Sequence, residues 1–230
     1  MSESEPDPVS DCHWFRQKSS SHFAIFDIRG FTRMTSSSDP AILRNVLFML
    51  DCVIPMMMRV LYRHGAYVEK NTGDGLMAIL GVDKNDAEAA DAALDAAEEM
   101  FFVLSRLVNP LLEANHISPV DARIGIDLGE LILARIGLPT GSSRHERNTL
   151  TAVGPSANIA SRLQAMAGTN EIWCGESVQR ASKEGRQASF LDVTPDSWTW
   201  KWGPQGRPYR CWNYRGVLQQ PTNVFRRNFV

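Results

Sequence analysis

The chain has 230 residues, 24 basic and 26 acidic side chains, and a formal net charge of −2. A chain of this length with 43% hydrophobic residues can bury a sizeable core, which excludes a disordered tail. No basic block predicts a surface for nucleic acid or an anionic membrane, and the longest apolar run, at residues 53–58, falls far short of the roughly 20 residues of a membrane span.

The elements predicted for the first half of the chain alternate short strands with longer helices. Asp39 and Pro40 are typical of a helix start, with Asp as the N-cap and Pro at the first helical position. Pro110 is expected to interrupt a long helix, and Pro55 to bend an earlier one. In chain order we predict a leader at 1–20, a strand at 22–27, a helix at 39–64, strands at 66–70 and 76–80 joined by a turn, and a helix at 85–115.

The second half is predicted to contain more strands, in a mixed order. We predict a hairpin of strands 122–127 and 130–136, an exposed arm at 138–149, a strand at 150–153, a helix at 154–166, a strand at 171–174, a helix at 176–183, and strands at 189–193, 198–202 and 209–214. Hairpins mixed with helices favour an α+β sheet layered with helices. We therefore predict one domain at 21–216, with a leader at 1–20 and a C-terminal tail at 217–230.

The N-terminus and the cysteines predict a cytoplasmic protein. Residues 1–10 are polar and acidic and lack the apolar segment of a secretory signal. Cys12, Cys52, Cys174 and Cys211 lie far apart and form no CxxC pair. Scattered cysteines of this kind indicate reduced thiols rather than a disulfide or zinc framework.

Two acids at predicted strand ends are the candidate metal ligands. Asp27 ends an apolar strand, and Asp74 lies in a Gly-Asp-Gly turn between two strands. A strand end and a neighbouring hairpin tip can bring two carboxylates together, and hard oxygen ligands without His or Cys suit Mg²⁺ or Mn²⁺. The alternative is that Asp27 caps a turn and Asp74 is simply a favoured turn residue.

The segment after Asp27 is a candidate phosphate site. Gly30, Phe31 and Thr32 enter a turn toward a helix, where free backbone N–H groups can hold phosphate oxygens. The chain contains none of the signatures of zinc proteases, α/β-hydrolases, P-loop proteins or Rossmann proteins.

Four ordered segments resemble the signature blocks of the class III nucleotide cyclase catalytic domain. They are residues 26–32 (FDIRGFT), 70–78 (KNTGDGLMA), 123–130 (RIGIDLGE) and 153–163 (VGPSANIASRL). One block alone is weak, but four in order are specific. The resemblance implies a ferredoxin-like βαββαβ core with added C-terminal strands and a helix, in a mixed, mainly antiparallel sheet layered with helices.

The resemblance also implies roles for the residues at the metals and the reacting phosphate. Asp27 and Asp74 match the aspartates that hold two divalent ions, Mg²⁺ or Mn²⁺, with help from the Ile28 carbonyl. Asn158 and Arg162 match the pair that positions the ribose and stabilises charge on the α-phosphate.

Four further positions match residues that contact the substrate. Arg123 corresponds to an arginine near the triphosphate. Lys201 corresponds to a phosphate-binding lysine, although Trp202 follows it where the family usually has glycine. Lys70 and Thr151 correspond to the positions that contact the base.

The resemblance implies conversion of a nucleoside triphosphate (NTP) to a 3′,5′-cyclic nucleotide and pyrophosphate. In this family the metal aspartates and the Lys/Asn/Arg set serve one site from opposite subunits. This chain contains both sets, so a homodimer with two shared sites is expected, and the arm at 138–149 is expected to reach the partner. Neither nucleic acid nor a membrane is an expected partner.

The base is less well specified than the reaction. Thr151 can donate or accept a hydrogen bond, so it suits adenine, cytosine or uracil. Asn71 and Thr72 replace a bulky apolar pair common in the family, and Pro155 departs from the usual polar residue. With its short leader, the chain resembles the stand-alone Pycsar cyclases of bacterial antiphage defence, which make cyclic UMP or cyclic CMP for an effector protein. We therefore favour UTP or CTP as the substrate. The alternative is an adenylate cyclase that uses ATP, and a hypothesis of a different functional class is an inactive module that only binds a nucleotide.

Overall fold

The fold is built on a seven-stranded sheet. The structure is a computed structural model, which describes residues 20–137, 148–202 and 206–216. The strands are β1 (Ser20–Ile28), β2 (Tyr67–Asn71), β3 (Gly75–Leu80), β4 (Ala122–Glu130), β5 (Ile132–Gly137), β6 (Asn148–Val153), β7 (Glu171–Gly175), β8 (Phe190–Asp192), β9 (Lys201–Trp202), β10 (Arg207–Pro208) and β11 (Cys211–Tyr214). The helices are α1 (Phe31–Met34), α2 (Pro40–Arg63), α3 (Asp86–Val103), α4 (Asn109–Ala114), α5 (Pro155–Met166) and α6 (Glu176–Ala181).

The order of the large sheet confirms the predicted fold class. Its strands run β2-β3-β1-β4-β7-β11-β8, and every neighbouring pair is antiparallel except β4 and β7. The segment β2-β3-β1-β4, with α2 and α3 as its connections, has the strand order of a ferredoxin-like βαββαβ unit. The strands β7, β11 and β8 extend this core at one edge.

Helix α2 begins where the sequence predicts. Asp39 is its N-cap, and the Asp39 side chain accepts a 2.8 Å hydrogen bond from the backbone N–H of Ala41. Pro40 occupies the first helical position, where its missing N–H costs nothing. Buried residues spaced three and four apart, among them Met49, Val53 and Met57, pack α2 onto the sheet.

Pro110 lies inside the predicted long helix, but the chain changes helix type before reaching it. Helix α3 ends at Val103, residues 104–108 form a π-helical turn, and α4 follows. Pro110 sits in the first turn of α4, where its ring displaces no intrahelical hydrogen bond. The interruption is therefore confirmed, and the π-helical turn places Pro110 at a tolerated position.

The predicted hairpin of residues 122–127 and 130–136 is wrong. Strand β4 pairs with β1 on one side and β7 on the other, so neither of its edges is available. The chain instead leaves the sheet after Glu130, and β5 pairs with β6 in a separate two-stranded ribbon. The predicted arm at 138–149 lies outside the described residues apart from its last two, which begin β6.

Helix α2 is also long and apolar enough, by length and composition alone, to cross a membrane. The core helix of a globular domain meets the same criterion, and seven α2 residues are buried within this fold. The leader, the tail and Cys12 lie outside the described residues, whereas Cys52, Cys174 and Cys211 are free thiols. The cytoplasmic location and the domain limits stay predictions.

A carboxyl group is fully enclosed in the middle of the sheet. Asp127 of β4 is 1% exposed and accepts a 2.5 Å hydrogen bond from the hydroxyl of Tyr209. Burial raises the pKa of Asp127 to about 8, although the hydrogen bonds from Tyr209 and the Leu128 backbone act in the opposite direction. Gly175 makes room for this pair, because a Cβ there would lie 1.9 Å from Asp127 Oδ1.

The buried acid predicts a measurable loss of stability as pH rises from about 4 to about 8. Between about pH 4 and pH 8 the folded chain holds a proton on Asp127 that the unfolded chain releases, so the free energy of unfolding falls as pH rises, by up to about 1.4 kcal/mol per pH unit. Asp127→Asn removes this contribution. Urea unfolding at pH 5, 6.5 and 8 is expected to show a shallower slope for Asp127→Asn than for wild type. The exposed Asp83→Asn is the control and is expected to keep the wild-type slope. Equal slopes for wild type and Asp127→Asn would contradict this prediction.

Candidate active site

The two candidate metal ligands meet at the end of β1. In the antiparallel β1–β3 pair, Asp27 lies opposite Gly75, and the Ile28 N–H donates a 3.1 Å hydrogen bond to the Asp74 carbonyl. Glycine is required here, because a Cβ on Gly75 would lie 2.6 Å from the Phe26 carbonyl oxygen. The register of the sheet therefore places the two aspartates side by side.

The turn that carries Asp74 explains one departure from the family pattern. Gly73 has a φ of 104°, in the left-handed region that favours glycine. The Gly73 N–H donates a 2.8 Å hydrogen bond to Asn71 Oδ1, so Asn71 forms an Asx turn. Asn71 is therefore accounted for by local turn chemistry.

The environment of Asp74 disfavours its charged form. Burial, and after it the neighbouring charge of Asp27, raises the pKa of Asp74. Asp27 Oδ2 accepts two hydrogen bonds of 2.8 Å, from Arg123 Nη2 and Gln164 Nε2. Within the described residues no hydrogen bond reaches Asp27 Oδ1, which leaves that oxygen available to a cation.

Gln164 is a site residue that the sequence analysis missed. It is 8% exposed and lies on α5, which packs directly against β4 at Gly125. A Cβ on Gly125 would lie 2.1 Å from the Ala160 carbonyl and 2.5 Å from Gln164 N, so only glycine permits this approach. The glycine at position 125 was the available signal, since close contact between a helix and a strand requires such a residue.

Arg123 lies at the predicted site, but its contacts are with the protein. Besides its ion pair with Asp27, it donates a 3.1 Å hydrogen bond to the Ala165 carbonyl. Arg123 therefore fixes Asp27 against the C-terminal part of α5, and its role near a triphosphate stays a prediction.

Asn158 and Arg162 do not face the aspartates of their own chain. They lie one turn apart on α5 and are exposed, whereas Gln164 is buried against Asp27. With about 3.6 residues per turn, Gln164 points to the side of α5 roughly opposite Arg162. One chain thus presents the two aspartates and the Asn158–Arg162 pair on different surfaces.

Lys70 and Thr151 lie on strands that contact each other, β2 and β6. Lys70 is exposed, and its ammonium group lies 3.2 Å from Glu69 Oε1. Glu69 occupies a β-bulge, which turns its side chain into the fold, and its Oε2 is buried without a hydrogen-bond partner among the described residues. Thr151 is half-buried.

The segment after β1 has the predicted turn. Gly30 has a φ of 78°, and its carbonyl accepts hydrogen bonds from the N–H groups of Arg33 and Met34 at the start of α1. Within the described residues, the N–H groups of Phe31 and Thr32 donate to no backbone acceptor. Their role with phosphate stays a prediction.

Lys201 directly follows a tryptophan whose ring contacts Arg162. It is exposed on the short strand β9, directly after Trp200, whose ring lies 6.0 Å from the Arg162 guanidinium carbon. Its role with phosphate stays a prediction.

The donor set at the end of β1 fits hard divalent cations. Among the described residues no group of three or more His, Cys, Asp or Glu side chains could hold a metal ion. The donors are therefore two carboxylates and nearby backbone carbonyls, which suit Mg²⁺ or Mn²⁺ rather than zinc. A cation would also favour the charged form of Asp74, whose pKa is raised first by burial and then by the charge of Asp27.

Comparison with known proteins gives a consistent result. Residues 17–197 match the sequence profile of the adenylate and guanylate cyclase catalytic domain. An adenylate cyclase of Mycobacterium tuberculosis is 26% identical over 158 residues, which are 69% of this chain and 32% of that protein. The chain thus spans about a third of the length of the curated relatives it matches.

Solved structures show the same fold. The guanylyl cyclase Cya2 superposes with a TM-score of 0.71 at 22% identity, over 88% of this chain and 95% of Cya2. The adenylyl cyclase CyaB from P. aeruginosa gives a TM-score of 0.66 at 20% identity, over 88% of this chain and 97% of CyaB.

Proposed function

Because the chain belongs to the adenylate and guanylate cyclase catalytic domain family, we propose that it converts an NTP to a 3′,5′-cyclic nucleotide and pyrophosphate. The observation that carries the proposal is the convergence of Asp27 and Asp74 at one strand end, beside the turn that begins at Gly30.

Asp27 and Asp74, with the Ile28 carbonyl, would hold two divalent ions, Mg²⁺ or Mn²⁺. Such ions supply activation of the ribose hydroxyl and neutralisation of the triphosphate charge. Arg123 and Gln164 keep the Asp27 carboxylate in one orientation by occupying its Oδ2. Gly30, Phe31 and Thr32 offer backbone N–H groups to phosphate oxygens.

The exposed face of α5 supplies the remaining groups. Asn158 orients the ribose, and Arg162 offers planar donors to the charge that develops on the α-phosphate. Loss of one such donor typically lowers the rate by about 10²–10³-fold. Lys201 binds phosphate oxygens, and Lys70 and Thr151 contact the base.

The opposed surfaces favour a homodimer with shared sites. Asp27 is covered by Gln164 of its own α5, so Asn158 and Arg162 of the same helix point away from it. A second copy of the chain can place its Asn158 and Arg162 over the aspartates of the first. Two equivalent sites follow from the symmetry of such a dimer.

The base depends on Lys70 and Thr151. Two positions depart from the family pattern, and local structure explains both. Asn71 forms the turn before Asp74, and Pro155 occupies the first position of α5, so neither residue defines a base pocket. Thr151 is compatible with a pyrimidine as well as with adenine, and we keep UTP or CTP as the first candidates, with a cyclic pyrimidine nucleotide acting on an effector protein in antiphage defence. ATP is the second candidate, and the mycobacterial relatives named adenylate cyclase favour it.

Incubation of the purified chain with each of ATP, GTP, CTP and UTP in Mn²⁺ tests the proposal. Mass spectrometry is expected to find a cyclic nucleotide from a pyrimidine NTP. A cyclic AMP product would replace the base assignment and leave the reaction class intact. Tight NTP binding without any cyclic product would overturn the cyclase proposal in favour of a binding module.

Gln164→Leu is expected to raise the Mn²⁺ concentration needed for half-maximal turnover about tenfold, because losing a side chain that hydrogen-bonds a metal ligand typically lowers metal affinity by about 10–100-fold. The amide that holds Asp27 Oδ2 is lost, while Arg123 remains. The measurement is a Mn²⁺ titration of initial rate, with Gln179→Leu on α6 as the matched control. An unchanged Mn²⁺ requirement would show that Gln164 does not tune the metal site.

A further inference from the structure

An aromatic cluster supports the face of α5 next to Arg162. Ile159 and Leu163 of α5 are buried against Tyr209 and Cys211. Three partly buried tryptophans complete this cluster: Trp173, Trp198 and Trp200. Arg162 thus emerges from a helix surface that is packed on indole rings.

Trp200 is the member of this cluster that meets the guanidinium group. The Arg162 Cζ lies 6.0 Å from the centroid of the Trp200 ring, at cation–π range. Among the described residues no carboxylate pairs with Arg162. The π-face is therefore the contact that holds the charged end of this side chain.

Trp200 is itself fixed by the rest of the fold. Its carbonyl accepts a 3.0 Å hydrogen bond from the backbone N–H of Tyr209. The Tyr209 hydroxyl in turn bonds Asp127 in the centre of the sheet and Ser177 at the start of α6. A short chain of contacts thus connects Trp200 to the most buried carboxyl group of the sheet.

We propose that Trp200 is a positioning residue that holds Arg162 in the orientation needed at the α-phosphate, an inference that rests on the proposed function. An aromatic face attracts a guanidinium group without taking up its N–H donors. All five donors stay available for phosphate oxygens. A carboxylate partner would orient Arg162 equally well but would occupy donors and cancel charge.

Kinetics of three variants test the role. Trp200→Leu is expected to lower kcat about three- to tenfold with KM changed less than about twofold, because the group is misplaced rather than lost. Trp200→Phe keeps an aromatic face and is expected to restore most of kcat. In an Arg162→Gln background, Trp200→Leu is expected to have no further effect on residual turnover. Equal losses in both backgrounds would assign Trp200 a role independent of Arg162 and overturn the proposal.

A second measurement does not depend on turnover. In the chain labelled with ¹⁵N-arginine, the Nε–H resonance of Arg162, assigned by its absence in Arg162→Gln, is expected to shift when Trp200→Leu removes the ring current. An unmoved resonance would overturn the positioning role even if the wild type is an active cyclase. A shifted resonance in a wild type that cyclises no NTP would instead overturn the proposed function and retain the contact.

Discussion

Asp74→Asn is expected to abolish cyclic nucleotide formation, with a loss of about 10³-fold or more, because a carboxylate that holds a catalytic cation contributes several kcal/mol at the transition state. The amide keeps the size of the side chain and the turn preference of this position. Thermal unfolding is expected at an unchanged or higher temperature. Burial and the neighbouring Asp27 disfavour the charged form of Asp74, so removing that charge relieves repulsion in the fold.

The measurement compares kcat and Tm of wild type and Asp74→Asn at neutral pH. Asp83→Asn, in the exposed turn after β3, is the matched control and is expected to retain full activity. Asp27→Asn is less informative, because it also weakens the ion pair with Arg123 and thus changes activity and stability together. Full activity of Asp74→Asn in a folded chain would remove Asp74 from the metal site.

Mixing inactive Asp74→Asn with inactive Arg162→Ala is expected to restore about a quarter of wild-type activity. Random assortment makes half of the dimers mixed, and each mixed dimer contains one intact site out of two. The prediction follows from α5, which turns Gln164 toward its own Asp27 and exposes Arg162 on the other side. Asp74→Asn suits this experiment because Asp74 makes no ion pair with Arg123.

Rates are measured after co-expression, with mixed dimers identified by native mass spectrometry. The matched control mixes Asp27→Asn with Asp74→Asn. Both lesions then fall on the same half of the site, so every site in every dimer keeps one lesion and no activity is expected. Confirmed mixed dimers of Asp74→Asn and Arg162→Ala without recovery would contradict shared sites.

The sequence predicts the elements around the proposed metal site well because their signals are local. The Asp39–Pro40 start of α2 and the glycines beside Asp74 act within a few residues of themselves. The strand order was predicted from the family resemblance and not from the hydrophobic pattern of the sequence. The prediction of a β4–β5 hairpin is wrong. Strands adjacent in sequence often pair with each other, but both edges of β4 pair with strands that are distant in sequence.

The missed site residues share a different cause. In the sequence, Gln164 is indistinguishable from an ordinary polar residue of a helix. It reaches Asp27 only because Gly125 allows α5 to pack closely on β4. In the sequence, Trp200 is one of several aromatic residues near the C-terminus. Its contact with Arg162 depends on the packing of two segments that are distant in sequence. Tertiary contacts of this kind leave no periodic trace in the sequence.

The close seating of α5 at Gly125 has a consequence for a dimer with shared sites. One rigid helix would steady the cation ligand of its own site through Gln164 and deliver Arg162 to the neighbouring site. In such a dimer, any tilt of that helix would disturb two reaction centres at once. The two centres would then be mechanically linked, and a small molecule or protein that separates α5 from the sheet would inhibit both together.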